Sequence, residues 1–556
     1  MTARAAHPWE ASYPPGCRWD APLDIITIPE LLDRAAAQWG DRTALSYRER
    51  RITYAELKEL ADRLAAGMMS RGIGRGETVA LLLPNTPWHP LAFFGLARTG
   101  ARIVHLSALD ARRELEHKLR DSEARRIITT DLAPLLDHAA WLLETGAAAE
   151  VLIAPDGFWT GSPDAVSLPP GAASVRPLLD HAPPAAWPAL VADDLLLLQY
   201  TGGTTGRPKG AMLTHSNLTA AVSIYRSWGD PRTRLEPGEQ RVLLVLPLFH
   251  IFALTSVLLR HLADGNELLL RPRFDAAAAL DDIEGRRVTV FPGVPTMWIA
   301  MLGQPGVEGR DLSSLRSIAS GGALLPFEVR VRAEAVFGRP LLGGWGMTET
   351  SPAGTRVTPD APRRPGMIGL PLPAVEMRIV ALDDPGRVLP AGETGEIAVR
   401  GPSVFQGYWN RPEESAAAFR DGFFLTGDIG WMDEGGFFTL VDRRKNMIIS
   451  GGFNVYPAAI EGAIYEHADV AECIVIGMPD AYRGEAAKAF VTLRPGAPEL
   501  TLETLRDFLR DRLGRHEMPA ALEVRDSLPR SPTGKLLASA LRAEVQAMMS
   551  TPHDAT

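Results

Sequence analysis

The stretch "RITYAELKELADRLAAGMMSRGIGRGETVALLLPN", residues 51–85, couples an amphipathic helix to a short run that is apolar at nearly every position. Thr53 stands three residues before Glu56, the spacing of a capping box, and Leu57, Leu60, Leu64 and Met68 then share one helix face. Gly72 ends the helix, and Val79–Leu83 reads as a buried strand. The unit returns in "PWHPLAFFGLARTGARIVHL" and in "ELEHKLRDSEARRIITT". A strand with no polar face must be covered on both sides, so the recurring unit predicts a mainly parallel sheet between layers of helices, an α/β fold.

At 556 residues the chain exceeds one ordinary core, and about 150 residues per unit would give it two to four compact units. A content of 46% hydrophobic and 22% charged residues is that of a globular chain rather than a disordered one. The net charge of -9 gives no basic footprint, which sets nucleic acid aside as a partner. Cys17 and Cys473 are too few for a disulfide framework or a cysteine-rich metal site, and they fit a reducing cytoplasm. Residues 1–25 lack the apolar core of a signal peptide and read as a flexible or surface-bound leader. Leu243–Leu259 is too short to span a bilayer and contains Pro247 and His250, so it reads as a buried strand, a loop and a helix start. Oligomeric state and a loose peripheral attachment to a membrane are left open by these patterns.

Pro and Gly punctuate residues 155–190, a surface excursion rather than a linker. Beyond residue 370 short strands bounded by glycine turns indicate a β-rich subdomain. Charges crowd in "VDRRKNMII", where a boundary is expected between a large domain, 26–444, and a small α+β domain, 445–556. In the latter, "AECIVIGMP" and "AKAFVTLRP" read as strands, and "LETLRDFLRDRL" as a helix with Leu505, Phe508, Leu509 and Leu513 on one side.

Residues 200–210, "YTGGTTGRPKG", look built to hold phosphate, yet they are not the common nucleotide loop. That loop needs G-x-x-x-x-G-K-[ST], whereas here Pro208 precedes Lys209 and Gly210 follows it. The dinucleotide fingerprint G-x-G-x-x-G is absent as well. What the segment does offer is Gly202, Gly203 and Gly206 to turn backbone N–H groups toward an anion, hydroxyls on Thr201, Thr204 and Thr205, and a point charge on Lys209. By itself the segment also has a plainer reading, a polar, flexible turn between a buried strand and the next helix.

Seven further motifs follow in order: "LPLFHIFALT", "SGGALLP", "GGWGMTETSP", "GYWNRPEES", "FFLTGDIG", "VDRRKNMIISGGFNVYP" and "LPRSPTGK". Together with the loop they resemble the adenylate-forming superfamily of acyl-CoA synthetases, adenylation domains and luciferases, from about residue 30 to residue 540. The double glycine of "YTGGTTG", "LPLFHIFALT" and "SGGFNVYP" are most similar to bacterial medium- and long-chain fatty acyl-CoA ligases. The resemblance implies a large AMP-binding domain with a β-rich subdomain and a small mobile C-terminal domain. It also implies ATP and coenzyme A as co-substrates, magnesium as cofactor, and two half-reactions through an acyl-adenylate.

The same resemblance assigns residues. The loop with Lys209 would hold the β- and γ-phosphates, and Glu349, with Thr348 beside it and Thr201, would serve magnesium and phosphate. Gly321, Gly322 and Ala323 would form a close-packed wall beside adenine and the acyl group, with Gly344, Trp345, Gly346 and Met347 completing the nucleotide site. Trp345 occupies a position usually held by tyrosine; its ring can stack, while the absent hydroxyl would alter one polar contact. Asp428 matches the ribose-binding aspartate, Arg443 an arginine at the nucleotide, and Lys445 the hinge. Lys535 matches the catalytic lysine of adenylation, and Gly451, Gly452 and Phe453 would face coenzyme A after the small domain turns. The segment after Lys535 lacks an arginine often found there. His250 would line the path between acyl pocket and thiol, or serve as a hydrogen-bonded core histidine.

An amino-acid adenylation domain is disfavoured, because no carboxylate near "PLFHIF" is available to meet an ammonium. Phe249, His250, Phe252, Phe291, Met297 and Trp298 would line an apolar acyl pocket suited to aliphatic acids. Aromatic acids would fit similar walls, and a dicarboxylic acid would need a polar group at the far end. A silent acyl-nucleotide-binding protein is the alternative of another class.

Overall fold

The computed structural model describes residues 6–161, 167–201, 208–228, 230, 235–450, 453–480, 483–531 and 536–550. Two mainly parallel sheets, where the sequence pattern predicted one, carry the larger part of the chain. The first runs Ala172–Ser174, Glu150–Ala154, Arg126–Thr130, Thr78–Leu81, Arg102–His105, Leu195–Thr201 and Lys209–Thr214 in spatial order. Only its last strand is antiparallel to its neighbour. The second runs Leu341–Gly343, Ser317–Ser320, Val290–Gly293, Arg241–Leu244, Glu267–Leu270, Thr43–Tyr47 and Arg50–Thr53. Every residue of helix Trp88–Thr99 is buried, His89 and Arg98 included. This is the expected signature of a helix with no solvent face.

Helix Tyr54–Ser70 begins as read, with the Thr53 hydroxyl accepting the Glu56 N–H at 3.2 Å. Only half the capping box forms, because the Glu56 carboxylate pairs with Arg50 instead. Residues 155–190 are less superficial than expected. Ala172–Ser174 extends the first sheet, and the 3-10 turn Arg176–Asp180 presses Leu178 onto Gly67, where a Cβ would lie 2.4 Å from the Leu178 carbonyl.

Of the two leader readings, flexible or surface-bound, the described residues show the surface-bound one. A 3-10 turn, Pro8–Ser12, buries Trp9 to 2% exposure, and the following residues bond to the β-rich subdomain. Ser12, Tyr13 and Trp19 donate to the carbonyls of Gly435, Pro371 and Val375. The apolar rings supply the driving force, and polar contacts set the register of this strap.

The β-rich subdomain is an antiparallel sheet ordered Thr355–Arg356, Met367–Pro371, Phe438–Arg443, Phe423–Met432, Gly395–Arg400 and Glu376–Val380. A fourth sheet joins Phe453–Val455, Ile448–Ser450, Gly484–Leu493 and Val470–Asp480, with Ala521–Val524 parallel to Gly484–Leu493. Helix Leu502–Leu509 lays Leu505 and Leu509 into its core. The chain leaves the third sheet at Arg443 and enters the fourth at Ile448, through a turn on which Lys445 is exposed. Among the described residues no helix is long and apolar enough to cross a membrane.

Candidate active site

Thr201 and Lys209 are register partners on adjacent antiparallel strands, so the two ends of the glycine and threonine segment project from one place. Gly202, Gly203, Thr204, Thr205 and Gly206 lie outside the described residues. Segment 405–409 is laid along strand Lys209–Thr214 by backbone bonds from Gln406 N to Met212 O, Met212 N to Gly407 O and Trp409 N to Gly210 O. This pairing brings Tyr408 between two predicted site residues. The Lys209 ammonium sits 5.3 Å from the Tyr408 ring centroid and pairs with Glu414, while the Tyr408 hydroxyl donates to Glu349 Oε1 at 3.0 Å. Tyr408 was overlooked in the sequence, although "GYWNRPEES" contains it.

Glu349 lies in the short 3-10 turn Thr348–Thr350, and its backbone carbonyl accepts the Phe405 N–H at 2.8 Å. Burial pushes its carboxyl above the usual range. Hydrogen bonds from its own backbone and Tyr408 and the charge of Arg443 oppose the rise, and the nearby Asp428 adds to it. A hard cation approaching this carboxylate would relieve the cost of its ionisation.

Trp345 and Asp428, 83 residues apart, meet directly: the indole N–H donates to Asp428 Oδ2 at 2.7 Å. The ring is held by Gly354, whose absent Cβ would stand 2.4 Å from it, and the Trp345 N–H donates to Thr355 Oγ1. Asp428 faces Arg443 across the ladder, with Arg443 Nε 2.9 Å from Oδ1. That contact is an ion pair without hydrogen-bond alignment, so buried Oδ1 has no aligned donor among the described residues. Behind it, buried Glu396 takes the Gly427 N–H and pairs with Arg444, and the Thr426 hydroxyl accepts from Asp428 N. Gly346 is a strict spatial requirement, since a Cβ there would fall 1.4 Å from the Pro352 carbonyl oxygen. Gly344 likewise leaves room for the Thr355 carbonyl at 2.5 Å. Met347 N is held by the Thr350 hydroxyl at 3.0 Å.

On the apolar side, the Phe252 ring lies where a Gly321 Cβ would be, 2.9 Å away. Thus Gly321, Phe252 and the half-buried Phe249 and His250 gather at one wall, while Gly322 adopts φ +77° and Ala323 is exposed. His250 Nδ1 accepts the Phe252 N–H at 3.3 Å. Gln199, bonded to His105, donates to the Phe249 carbonyl at 2.8 Å and ties this loop to the strand before Thr201. Phe291 and Trp298 are completely buried and stack edge-on, 5.1 Å apart, with Phe337 on the other side of Trp298. They fill the wall behind Gly293, with Met297 nearly buried beside them. The segment after His250 is a π-helix, Phe252–Leu259, a form that periodicity did not announce and that often marks functional sites.

At the turn to the fourth sheet, Asp442 accepts N–H groups from Arg443 and Ala458 and the amide of Asn446, whose oxygen takes a bond from Arg542. Phe453 is 59% exposed with its ring 5.0 Å from His516. Gly451, Gly452 and Lys535 lie outside the described residues.

Two family models match: AMP-binding enzyme over residues 32–409, and AMP-binding enzyme C-terminal domain over 459–535. Among curated relatives, a long-chain-fatty-acid–CoA ligase of Bacillus subtilis is 37% identical over 97% of this chain and 98% of its own. A feruloyl-CoA synthase from an Amycolatopsis species is 38% identical over 92% and 97%. Among solved structures, ATP-bound MatB from Rhodopseudomonas palustris superposes with a TM-score of 0.83 at 31% identity, over 94% of this chain and 99% of that one.

Proposed function

Because the chain belongs to the AMP-binding enzyme family, we propose that it activates an aliphatic carboxylic acid of medium or long chain through an acyl-adenylate to its coenzyme A thioester, releasing AMP and pyrophosphate. The observation that carries this reading is the convergence of Trp345, Asp428 and Arg443 on one side of the "WGMTE" segment and Lys209, Tyr408 and Glu349 on the other.

An anionic carboxylate must approach a polyanion, so cations and donors have to stand where charge accumulates. Lys209 leaves Glu414 for the outer phosphates, and Tyr408 holds Glu349 in place. Glu349, with the Thr201 and Thr348 hydroxyls beside the phosphates, would hold magnesium here. When bound, it would offset phosphate charge. Asp428 presents Oδ1, ion-paired with Arg443 but without an aligned hydrogen bond, to a ribose hydroxyl while Trp345 holds Oδ2. Gly321, Gly322, Ala323, Gly344, Gly346 and Met347 leave a thin wall between nucleotide and acyl group. Phe249, His250 and Phe252 flank the acyl path, and Met297, Phe291 and Trp298 stiffen it. Domain 445–556 turns about Lys445, bringing first Lys535 to the reacting carboxylate and α-phosphate, then Gly451, Gly452 and Phe453 to coenzyme A.

Two relatives, named for long-chain fatty acids and for a feruloyl group, frame the substrate test. AMP release dependent on coenzyme A and magnesium is measured across straight-chain monocarboxylic, dicarboxylic and aromatic acids. An optimum among aliphatic acids supports the proposal, preference for ferulic or benzoic acids replaces it with an aromatic ligase, and pyrophosphate release without thioester or silence overturns it.

A further inference from the structure

One cluster of charge beside this site is not used by the reaction. Tyr225, Arg260 and Arg356 are all half-buried, and they come from helix His215–Ser227, the end of the π-helix and strand Thr355–Arg356. The Arg260 guanidinium carbon stands 5.7 Å from the Tyr225 ring centroid. The Nε atoms of both arginines are buried without a hydrogen-bond partner, and among the described residues neither guanidinium has an ion pair. The nearest negative charges are committed elsewhere or act only through space: Asp264 pairs with Arg226, and buried Asp230 acts on Arg356 at a distance. Burial first, and Arg260 second, hold the Arg356 guanidinium down to about 10, while His261 beside them is held neutral by burial. Two recessed cations close enough to act on one another, with neither Nε bonded among the described residues, are costly, and such an arrangement is relieved by an anion.

The cluster has a defined position relative to the acyl wall. Phe252, against Gly321, is the first residue of the π-helix; Ser256 and Arg260 follow at intervals of four, close to one turn of this wider helix, along the same side. Eight residues at no more than about 1.5 Å each place Arg260 at most about 12 Å further along. The Ser256 side chain between them is buried, its hydroxyl facing that of Tyr225. Tyr225 reaches back toward the nucleotide side, its hydroxyl 3.4 Å from the Pro352 carbonyl that occupies the space over Gly346.

We infer that Tyr225, Arg260 and Arg356 form an anion subsite at the far end of the acyl path, receiving the second carboxylate of a medium-length α,ω-dicarboxylic acid. The inference rests on the acid-activating reading above and deepens it: the aliphatic chain passes Phe252 and Ser256, and its distal oxygens accept from the two guanidiniums. Nothing covalent happens there; the subsite selects the acid by its far end.

The test compares sebacic with decanoic acid and suberic with octanoic acid, on the full-length enzyme and its Arg356→Met, Arg260→Met and Arg356→Lys variants, each shown to be folded by a thermal melt. In thioester formation the ratio of kcat/KM for diacid over monoacid should fall at least about tenfold in either Met variant, with partial retention in Arg356→Lys. Calorimetric binding of sebacate without nucleotide should weaken in parallel. An unmodified enzyme that activates decanoate yet neither binds nor activates the diacids overturns the subsite, and so does a ratio unmoved by both Met variants. Inorganic phosphate binding with the same dependence on Arg356 would mark a plain anion site and overturn the dicarboxylate assignment. If no acid forms thioester but sebacate binding still depends on Arg356, the ligase reading falls and the subsite stands.

Discussion

The wall that faces the nucleotide and the wall at the end of the π-helix treat buried charge in opposite ways. Around Asp428 and Glu349 the strong acceptors are met by donors from distant parts of the chain: Trp345, Arg443 and Tyr408. Around Arg260 and Arg356 the two Nε donors are buried with no acceptor among the described residues. A partnered network is rigid and ready before substrate arrives; an unpartnered one is completed by whatever enters it. The two walls share the segment from Gly344 to Arg356, so one short stretch serves both.

The sharpest way to break that contrast is to damage the shared segment. Gly346→Ala puts a methyl where the Pro352 carbonyl already stands, which the backbone must move to accommodate. Thioester formation should drop by about three orders of magnitude, with stability lowered by roughly 3 kcal/mol or more, read by AMP release and by denaturant unfolding. An active, stable alanine variant would show that the segment is not shared rigidly. Next in size, Glu349→Gln keeps the acceptor for Tyr408 but removes the charge. Activity should fall about 10²- to 10³-fold with the melting curve nearly unchanged, and excess magnesium should recover little. Loss confined to KM for the acid would contradict the assignment.

How much of this was readable beforehand depends on range. The helix-and-strand alternation and the capping role of Thr53 are local and carried by the pattern around residues 51–85, and the β-rich tract is carried as locally by the glycine-bounded strands beyond residue 370. Whether the apolar strands make one sheet or two is a matter of pairing between strands such as Thr43–Tyr47 and Glu267–Leu270, which no local pattern contains. Trp9 reads as a leader residue until the sheet that it covers is known. The family motifs pointed to Asp428, Arg443, Glu349 and Lys209, and the structure brings them into two adjoining groups. The Trp345 donation to Asp428 was not foreseen, because the comparison with tyrosine emphasised a lost hydroxyl rather than a gained N–H. Arg260 and Arg356 belong to no motif, and each looks like an ordinary surface arginine in sequence.

Glu461 extends the contrast to a half-buried acid in the small domain. It accepts one backbone bond, from Val475 at 2.7 Å, and burial pushes its carboxyl up to about 8. The folded chain therefore holds this proton up to about pH 8, whereas the unfolded chain releases it near pH ~4.3. Its contribution to stability is complete below the unfolded value and is lost as pH rises through the folded one. Between pH 6 and pH 9 the protein should lose on the order of 2 kcal/mol that Glu461→Gln does not lose, read by urea unfolding at each pH. Parallel losses in both proteins would mean that Glu461 is already ionised and partnered.

The smallest effect discriminates most finely, because it asks whether the nucleotide wall is rigid through its partners or only through its packing. Trp345→Phe keeps a ring against Gly354 and removes the single donor to Asp428 Oδ2. Arg443 still faces Oδ1, so the carboxylate remains compensated but free to turn. KM for ATP should then rise about fivefold, the equivalent of roughly 1 kcal/mol, while kcat changes less than twofold, since ribose is held alike in ground and transition states. Trp345→Tyr should lie between the two, because its hydroxyl can donate but from a shorter ring. If Trp345→Phe instead lowers kcat and leaves KM alone, the indole N–H acts on the reacting geometry, and the partnered wall contributes to the chemical step as well as to binding.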